Sequence, residues 1–462
     1  MRKNKYVIAA LAAELGLSAS AVQVAVDFSQ EVGQVKRLNG VCNLTPLANS
    51  RTKSINDMVL KLEVPGYHLH DAALENPGLA VVDVSRIFPL FHADVDDPRN
   101  YIFEPTDDYL RQAVEAGAEI DFRLGESIEH SKNTYRVHAP KDYAKWAEIC
   151  AHIIRHYNDG WANGFRWNIR KWSIWEEPDT NPMLLTGAKD PFTEIYLPLY
   201  AAAATRLKKE FPEIEIGGPQ TGSNRGLIAK FIDYCAANRL PIDNLGFTGY
   251  SQNVDHYANM VSFIRGKLDE KGFTGTKISV VEWHWGPLSW VGHGTANAKR
   301  NAVAWRENLT SYESAAFTAA TLIRMQDAPV DNMYFYAMKC GCWGLFDADR
   351  HPYPCYWAMY AFAQLAHGRT RVKATVDAPG WYALASKEAD GKGHVLVSTL
   401  ATGVPLALTV SGGMKPVRVR TLDPVSDMED SSAWTWNEAK GELSLRRDFG
   451  NSAVFLIDFD RM

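Results

Sequence analysis

The feature that most constrains this chain is an alternation of short apolar runs with longer helical patterns between residues 34 and 365. Helical patterns are clearest at residues 142–157, 194–211 and 314–326. Strands that alternate with helices predict a parallel sheet with crossover helices. Eight such strands over roughly 330 residues predict a (β/α)₈ TIM barrel with some long loops. The strand-like runs are QVKRLNGVCN, GYHLHDAA, AEIDFRLGES, KWSIWEEPD, EIEIGGPQ, LGFTGYSQ, KISVVEWHWG and NMYFYAMKC.

The pattern changes after Gly368, where no helical period remains. The runs VLVSTL, LALTVSG, VRVRTLD, LSLRRD and AVFLIDFD alternate apolar and polar residues between turn-forming residues. This pattern predicts a C-terminal antiparallel β-sandwich domain. The early run VQVAVDFS at 22–29 alternates in the same way and is a candidate extra strand of that sandwich. The predicted organisation is a leader with an N-terminal strand (1–33), the barrel (34–368) and an accessory sandwich (369–462).

Bulk properties exclude some classes of partner. The chain has 462 residues and a formal net charge of −5, so no overall charge attracts it to nucleic acid or an anionic membrane. No run reaches the ~18 apolar residues that a transmembrane helix needs. Oligomeric state is left open, a homo-oligomer included.

The first 21 residues allow more than one interpretation. MRKNK, then YVIAALAA, then SASA resembles a signal peptide, although Glu14 closely follows the apolar run. A plain helical or disordered leader is the alternative, and the start of a helix-turn-helix is a weaker one. Cytoplasmic and exported locations therefore both stay open.

Neither the cysteines nor the glycines predict a cofactor. Cys150 and Cys235 lie in helical patterns, where a thiol behaves as a small core hydrophobe. Cys340, Cys342 and Cys355 are closer together, but they lack the CxxC spacing of a zinc site. The segment GGP at 217–219 follows a strand without forming GxGxxG. We expect no metal and no other cofactor.

Two glutamates lie at the C-terminal ends of predicted strands, which is where barrel enzymes have their catalytic residues. Strand four runs into Glu177 and strand seven into Glu282, each after residues that should be buried. A buried charge is costly unless it is paired or used. Retaining glycoside hydrolysis uses two carboxyl groups about 5–5.5 Å apart, one as acid and one as nucleophile. Salt bridges on the barrel rim are the structural alternative, but two such glutamates beside tryptophans favour catalysis.

The segment WSIWEEPD resembles the W-x-x-W-N-E-P-[ND] segment of glycoside hydrolase family 39, a family of (β/α)₈ retaining glycosidases. The likeness extends over about residues 34–370. It includes DYAKWAEICAHIIRHY before strand four, the stretch LKKEFPEIEIGGP, VVEW on the nucleophile strand and YPCYWAMYAFAQL in the last helix. Members of the family also carry a C-terminal β-sandwich.

The resemblance implies that Glu177 is the acid/base and Glu282 the nucleophile. It implies that Tyr250 hydrogen-bonds the nucleophile and that His70 lines the sugar pocket. A structural histidine and plain core packing are the alternatives for His70 and for the tryptophans. The implied substrate-binding set is His70, Trp175, Glu176, Tyr250, Trp283, His284 and Trp285.

Three positions depart from the family pattern. Glu176 replaces an asparagine, Gly249 stands where a histidine is expected, and His68 stands where an arginine is usual. The family includes β-xylosidases, α-L-iduronidases and enzymes of arabinose-containing linkages, so the departures put the identity of the sugar in doubt. We expect Glu176 to point into the pocket and to help keep Glu177 protonated. The alternative is that Glu176 pairs with an arginine or lysine on the rim.

The predicted function is a retaining glycoside hydrolase acting on an oligosaccharide or glycoside. A carbohydrate-binding pseudoenzyme would keep the barrel and the aromatic cleft, but the loss of one carboxylate would then be expected. A transglycosylase would use the same residues with a sugar acceptor in place of water. The sequence does not fix the sugar, the linkage or exo against endo action.

Overall fold

A computed structural model of the chain describes residues 21–44, 54–70, 81–128, 138–179, 188–286, 306–401, 405–445 and 451–462. Residues 1–20 lie outside the described residues, and the interpretations of the N-terminal leader concern mainly these residues.

Eight parallel strands close into a barrel in chain order, which confirms the predicted (β/α)₈ architecture. These strands are buried along nearly all their residues, as expected for a parallel sheet covered by helices outside and side chains inside. The barrel strands are β2 (Gly40–Cys42), β3 (Gly66–His68), β4 (Glu119–Leu124), β5 (Lys171–Ile174), β6 (Glu215–Thr221), β7 (Asn244–Ser251), β8 (Lys277–Trp285) and β9 (Asn332–Phe335).

Helices separate the barrel strands, and several begin with a side-chain cap. Asp142, Asn224 and Ser311 each accept backbone N–H groups of the following first turn. Cys150 and Cys235 are buried on the helices Tyr143–Asn158 and Arg225–Asn238, where the helical pattern placed them. The α-helices are α1 (Asn56–Leu60), α2 (Val84–Ile87), α3 (Glu104–Glu115), α4 (Tyr143–Asn158), α5 (Leu197–Glu210), α6 (Arg225–Asn238), α7 (Asp255–Glu270), α8 (Tyr312–Arg324) and α9 (Pro354–Ala366). Short 3₁₀ turns lie at Pro98–Asn100, Trp161–Asn163 and Met325–Asp327, and a π-helical turn at Phe192–Tyr196 precedes α5.

A curled sheet of ten strands forms the second domain, as the alternating pattern of the C-terminal region predicted. Its spatial order is β15-β14-β18-β12-β11-β10-β1-β13-β17-β16. All neighbours pair antiparallel except β1 and β13, which are parallel. The strands are β1 (Val22–Gln34), β10 (Thr370–Val376), β11 (Trp381–Lys387), β12 (Gly393–Thr399), β13 (Leu406–Ser411), β14 (Met414–Asp423), β15 (Ser426–Asp430), β16 (Trp434–Asn437), β17 (Glu442–Leu445) and β18 (Ala453–Arg461).

The N-terminal strand β1 lies in the middle of this sheet, between β10 and β13. Its residues Val22, Val24, Val26 and Phe28 face the core that the sheet curls around, while Gln23 and Ala25 are exposed. This period of two follows from the alternating direction of side chains along a strand. The start of the described chain is therefore built into the C-terminal domain.

The barrel and the curled sheet share a packed interface formed largely by α8 and α9. Along β18, Val454 and Leu456 belong to the barrel core, while Phe455 and Ile457 belong to the sheet's own core. Ser398 Oγ donates a hydrogen bond of 2.7 Å to the Ala316 carbonyl of α8. One strand thus supplies two hydrophobic cores through its two faces.

No described helix is both long enough and apolar enough to span a bilayer.

The interface makes a testable contribution to stability. Leu456 is completely buried, so Leu456→Ala should lower the free energy of unfolding by about 2–5 kcal/mol through lost burial and a residual cavity. Val417 on neighbouring β14 is 46% exposed, and Val417→Ala should cost less than about 0.5 kcal/mol. Urea denaturation followed by tryptophan fluorescence measures both. Equal effects of the two substitutions would contradict the interface described here.

Candidate active site

Three of the predicted residues meet at the C-terminal end of the barrel. Glu177 follows β5, Glu282 lies near the end of β8, and His70 follows β3. His70 Nε2 lies 2.5 Å from Glu282 Oε2, and the charges of Glu282 and His70 both act on the pKa of Glu177. The closed barrel thus brings together side chains from strands far apart in the sequence.

A β-bulge sets the direction of Glu282. In the pairing of β7 with β8, Phe247 is opposite Val280 and Thr248 is opposite Glu282, which leaves Val281 as the extra residue. A bulge re-aims the side chains that follow it and is common beside active sites. Glu282 is 5% exposed and lies beside Thr248 on the neighbouring strand.

Glu177 is held in a strained and largely buried position. Its backbone has φ of 39°, a sparsely populated value for a residue with a side chain. Thr248 Oγ1 donates a hydrogen bond of 2.6 Å to Glu177 Oε1, and the Glu177 N–H donates to the Gln220 carbonyl at 3.2 Å. Burial first, and then the charge of Glu282, raise the pKa of Glu177 to about 8. Glu177 is therefore a carboxylic acid at neutral pH.

Glu176 is completely buried, and no arginine or lysine of the described ranges pairs with it. Its Oε2 lies 2.9 Å from His68 Nε2. The side-chain nitrogen of Gln220 donates to the same oxygen at 2.9 Å in the amide orientation that satisfies its neighbours. The other oxygen, Oε1, lies 3.8 Å from His70 Nε2. Glu176 thus has one oxygen near His70 and the other against the buried His68.

His68 lies between two carboxyl groups. Its Nδ1 is 3.4 Å from Asp121 Oδ2, opposite the contact with Glu176. Burial alone would lower the pKa of His68, but the charges of Asp121 and Glu176 raise it to about 9. Burial likewise opposes ionisation of Asp121, but the charge of His68 holds the pKa of Asp121 below its ordinary value. Asp121, His68 and Glu176 form a buried row, here called the Asp121–His68–Glu176 row.

The backbone of His70 is fixed by a buried arginine that the sequence analysis did not single out. Arg123 Nε donates to the His70 carbonyl at 3.0 Å, and its NH2 donates to Asp83 Oδ1 at 2.8 Å. Arg123 and Asp83 are fully buried. A buried guanidinium is stable only when it is paired, so this ion pair holds the end of β3 in place.

An aromatic cluster around Trp343 borders the carboxylates. The Trp343 ring is roughly perpendicular to the rings of Tyr250, His284 and Tyr336, at centroid distances of 5.3, 5.8 and 5.9 Å. Tyr336 in turn lies 5.3 Å from the ring of His70. Tyr250 and His284 therefore belong to this cluster, together with Tyr336 and Trp343, which the sequence analysis did not single out. The hydrogen bond predicted between Tyr250 and Glu282 stays a prediction.

His284 is a neutral member of this cluster. Burial lowers its pKa to about 3, and its Nδ1–H donates to the carbonyl of Trp285 at 3.3 Å. Trp285 is itself buried at the end of β8. An uncharged imidazole among aromatic rings can contact a sugar without adding charge to the carboxylate pair.

The structure places two predicted pocket residues elsewhere. The ring of Trp175 lies 6.2 Å from Trp146 of α4, and Trp283 packs against Tyr257 of α7 and against Phe335, at 5.9 and 5.3 Å. Both tryptophans lie in the core layer between barrel and helices. The reason for Trp283 is that adjacent side chains of a strand point to opposite faces, so the residue after an inward Glu282 points outward.

Gly249 does not face the pocket, although the family pattern has a histidine at this position. A side chain at this position would meet Ser223 Oγ at 2.6 Å and His256 Nε2 at 3.3 Å. Gly249 therefore faces Ser223 and α7 instead of the carboxylates. The glycine found here in place of the family's histidine therefore removes no side chain from the pocket.

Among residues that the sequence analysis missed, Thr248 and Asp121 carried a usable signal. Thr248 precedes Tyr250 by one strand period, and Asp121 is a charge inside the apolar run EIDFRL. Gln220 carried no such signal, because only the folded barrel brings its amide against Glu176. In the described part of the chain, no cluster of three or more His, Cys, Asp or Glu side chains is arranged to hold a metal ion.

The sequence and the fold match known glycosidases. Residues 83–272 match the family model of glycosyl hydrolases family 39. The chain is 26% identical over 163 residues to a β-xylosidase of Geobacillus stearothermophilus and 28% identical over 142 residues to one of Caldicellulosiruptor saccharolyticus. These matches cover 34% and 29% of this chain, and 31% and 27% of the relatives. The matched region thus spans about a third of the length of these relatives.

Solved structures are similar over nearly the whole chain. A glucosidase from Croceicoccus marinus superposes with a TM-score of 0.75 at 21% identity, covering 96% of this chain and all of that one. A family 39 β-xylosidase from Caulobacter crescentus superposes with a TM-score of 0.69 at 14% identity, covering 95% of this chain and 99% of that one. At these identities the likeness concerns the fold. The region from residue 83 to residue 272, which includes β5, is therefore similar in sequence to glycosyl hydrolases family 39.

Proposed function

We propose that this protein is a retaining glycosidase in which Glu177 is the acid/base and Glu282 the nucleophile. The observation that carries the proposal is the difference between the two carboxyl groups. Burial and the charge of Glu282 keep Glu177 protonated at neutral pH, while His70 lies against Glu282 at 2.5 Å. A pair of carboxyl groups driven to opposite protonation states is what acid and nucleophile roles require.

In the first step Glu282 attacks the anomeric carbon while Glu177 gives its proton to the oxygen of the leaving group. The bond to that oxygen breaks, and a glycosyl ester of Glu282 forms. His70 orients the attacking carboxylate. The loss of the negative charge of Glu282 in the ester removes one of the two main causes that keep Glu177 protonated.

In the second step Glu177, now ionised, takes a proton from water, and the water oxygen attacks the anomeric carbon. The ester bond breaks, the sugar leaves with its original configuration, and both glutamates return to their starting states. A sugar hydroxyl in place of water would give transglycosylation by the same residues. Adding an acceptor sugar and analysing the products separates the two outcomes.

The substrate proposed first is a β-xyloside, because the matched curated relatives are named β-xylosidases. The aromatic cluster around Trp343 supports a sugar ligand, since aromatic faces pack on the apolar C–H faces of pyranose rings. A carbohydrate-binding protein without turnover is less well supported, because it would not need one carboxyl group kept protonated beside another. A panel of aryl glycosides that includes β-xylosides tests the choice of sugar.

The nucleophile has a direct test. Glu282→Ala should lower kcat/KM by at least about 10³-fold, because no covalent intermediate can form. Added azide should restore turnover and give a glycosyl azide of inverted configuration, identified by NMR. Glu213→Ala is the matched control, since Glu213 is exposed and should leave activity unchanged. Full activity of Glu282→Ala would refute the assignment.

The acid/base role predicts a dependence on the leaving group. Glu177→Ala should lower kcat/KM by about 10²–10⁴-fold on substrates with poor leaving groups, which need a proton. Aryl glycosides with activated leaving groups should lose far less in the glycosylation step. A series of substituted phenyl glycosides gives the slope against the pKa of the leaving group. Equal losses along the series would assign Glu177 another role.

The pH profile provides a third test. Because Glu177 must be protonated, kcat/KM of the wild type should fall on the basic side with a pKa near the value of about 8 that burial and Glu282 give Glu177. The hydrogen bond from Thr248 lowers that pKa, so Thr248→Val should move the basic limb to higher pH. A limb that stays in place or moves to lower pH in Thr248→Val would show that another group controls it.

A further inference from the structure

A short segment at the end of β6 connects Glu177 to the strand that carries its hydrogen-bond donor. The Gln220 carbonyl accepts the Glu177 N–H at 3.2 Å. Three residues further on, Ser223 Oγ donates to the Thr248 carbonyl of β7 at 2.9 Å. Thr248 Oγ1 in turn donates to Glu177 Oε1 at 2.6 Å. Glu177 and Thr248 are therefore both hydrogen-bonded to the segment 220–223.

The Ser223 side chain extends the pairing of β6 with β7. The two strands pair up to Thr221 and Phe247. Thr248 is the next residue of β7, and it is 2% exposed. A buried backbone carbonyl needs a donor, and Ser223 supplies one at the residue whose side chain contacts Glu177.

The other end of this connection is a histidine in the first turn of α7. His256 Nε2 lies 3.0 Å from Ser223 Oγ. The Thr248 carbonyl can only accept a hydrogen bond, so it takes the single hydroxyl proton of Ser223. Ser223 Oγ therefore accepts from His256, whose proton is on Nε2. Burial, and then the charge of Arg225, lower the pKa of His256, which favours the neutral imidazole.

The packing around Gly249 keeps this pair against the strand. A Cβ atom at residue 249 would lie 2.6 Å from Ser223 Oγ and 3.3 Å from His256 Nε2. Ser223 and His256 thus fill the space that a side chain on β7 would need. The hydroxyl of Tyr257, also in the first turn of α7, lies 2.9 and 3.0 Å from the carbonyl oxygens of Gly249 and His284. This turn therefore contacts the C-terminal ends of both β7 and β8.

We propose that Ser223 and His256 are positioning residues for proton donation, which together hold the Thr248 backbone so that its hydroxyl meets Glu177 Oε1. The inference rests on the glycosidase function proposed above, in which Glu177 gives and takes the proton. His256 fixes the Ser223 hydroxyl, and Ser223 fixes the Thr248 carbonyl. The first turn of α7 thereby acts on the acid/base through two successive hydrogen bonds.

The experiment measures the basic limb of kcat/KM against pH on an aryl glycoside with a poor leaving group, which needs proton donation. The hydrogen bond from Thr248 stabilises ionised Glu177 and so lowers its pKa. Ser223→Ala should weaken that hydrogen bond, raise the pKa of Glu177 and move the basic limb to higher pH. The expected shift is about 0.3–1 pH unit, since one hydrogen bond changes a pKa by about one unit or less.

A double substitution tests whether Ser223 acts through Thr248. In Thr248→Val the hydrogen bond to Glu177 is already absent. Adding Ser223→Ala should therefore leave the limb where Thr248→Val alone puts it, because residues that act through one contact are not additive. Additive shifts would contradict the connection.

His256 is tested by two variants that differ in the donor. His256→Leu removes the N–H and keeps much of the side-chain volume, so it should move the limb in the same direction as Ser223→Ala. His256→Gln keeps an N–H donor at the end of the side chain and should keep the wild-type limb. Rescue by glutamine distinguishes the hydrogen bond from a general loss of packing.

Ser398→Ala is the matched control. Ser398 is a buried serine that also donates from its hydroxyl to a backbone carbonyl, that of Ala316, but it lies on β12 of the curled sheet. The control should lower thermal stability and leave the basic limb in place.

The outcomes separate this inference from the proposed function. A wild type that cleaves no glycoside overturns the glycosidase proposal, and this inference with it. An active wild type whose limb stays in place in Ser223→Ala, whatever the change in stability, overturns only the positioning role. A shift in Ser223→Ala without one in His256→Leu overturns the role of His256. Shifts in both variants that are absent from the control and not additive with Thr248→Val support the inference.

Discussion

The burial of several carboxyl groups at one end of the barrel is the constraint on which the site depends. Glu176 and Asp121 are almost completely shielded from water, and His68 lies between them. Removing charges from water is costly, and only close opposite charges and hydrogen bonds offset that cost. His68, cationic between them, offsets one of the two negative charges of this row. Burial and the charge of Glu282 raise the pKa of Glu177 to about 8, so that Glu177 holds its proton.

The barrel supplies the backbone that such a site needs. Its strands are hydrogen-bonded on both sides, so a local irregularity is held in place by its neighbours. The bulge at Val281 and the positive φ of Glu177 are two irregularities of this kind. The first directly precedes Glu282 and the second is at Glu177, the two residues proposed to carry the chemistry, as is common for such irregularities. The regular part of the fold therefore stabilises the irregular part that holds the carboxyl groups.

The curled sheet is joined to the barrel by shared hydrophobic packing. Strand β18 contributes alternate residues to two cores, and α8 packs on β11, β12 and β18. Strand β1 joins the sheet from the other end of the described chain, pairing with β10 and β13. The barrel segment thus begins and ends at the same sheet, which anchors both of its ends at one surface.

The sequence by itself determined the fold class, because eight apolar runs separated by helical periods and followed by alternating strands allow few other arrangements. It also placed Glu177, Glu282 and His70 at strand ends, where a barrel brings side chains together. Only the tertiary structure decided the partner of Glu176. His68 lies 108 residues away in the sequence, and both residues differ from those that the family pattern has at these positions. The tertiary structure also decided that Thr248 stands opposite Glu282 on the neighbouring strand and hydrogen-bonds Glu177. The physical reason is that contacts between strands depend on the register in which the strands pair, and a bulge changes which face each following side chain points to. The residue pattern along a single strand specifies neither the register nor the bulge.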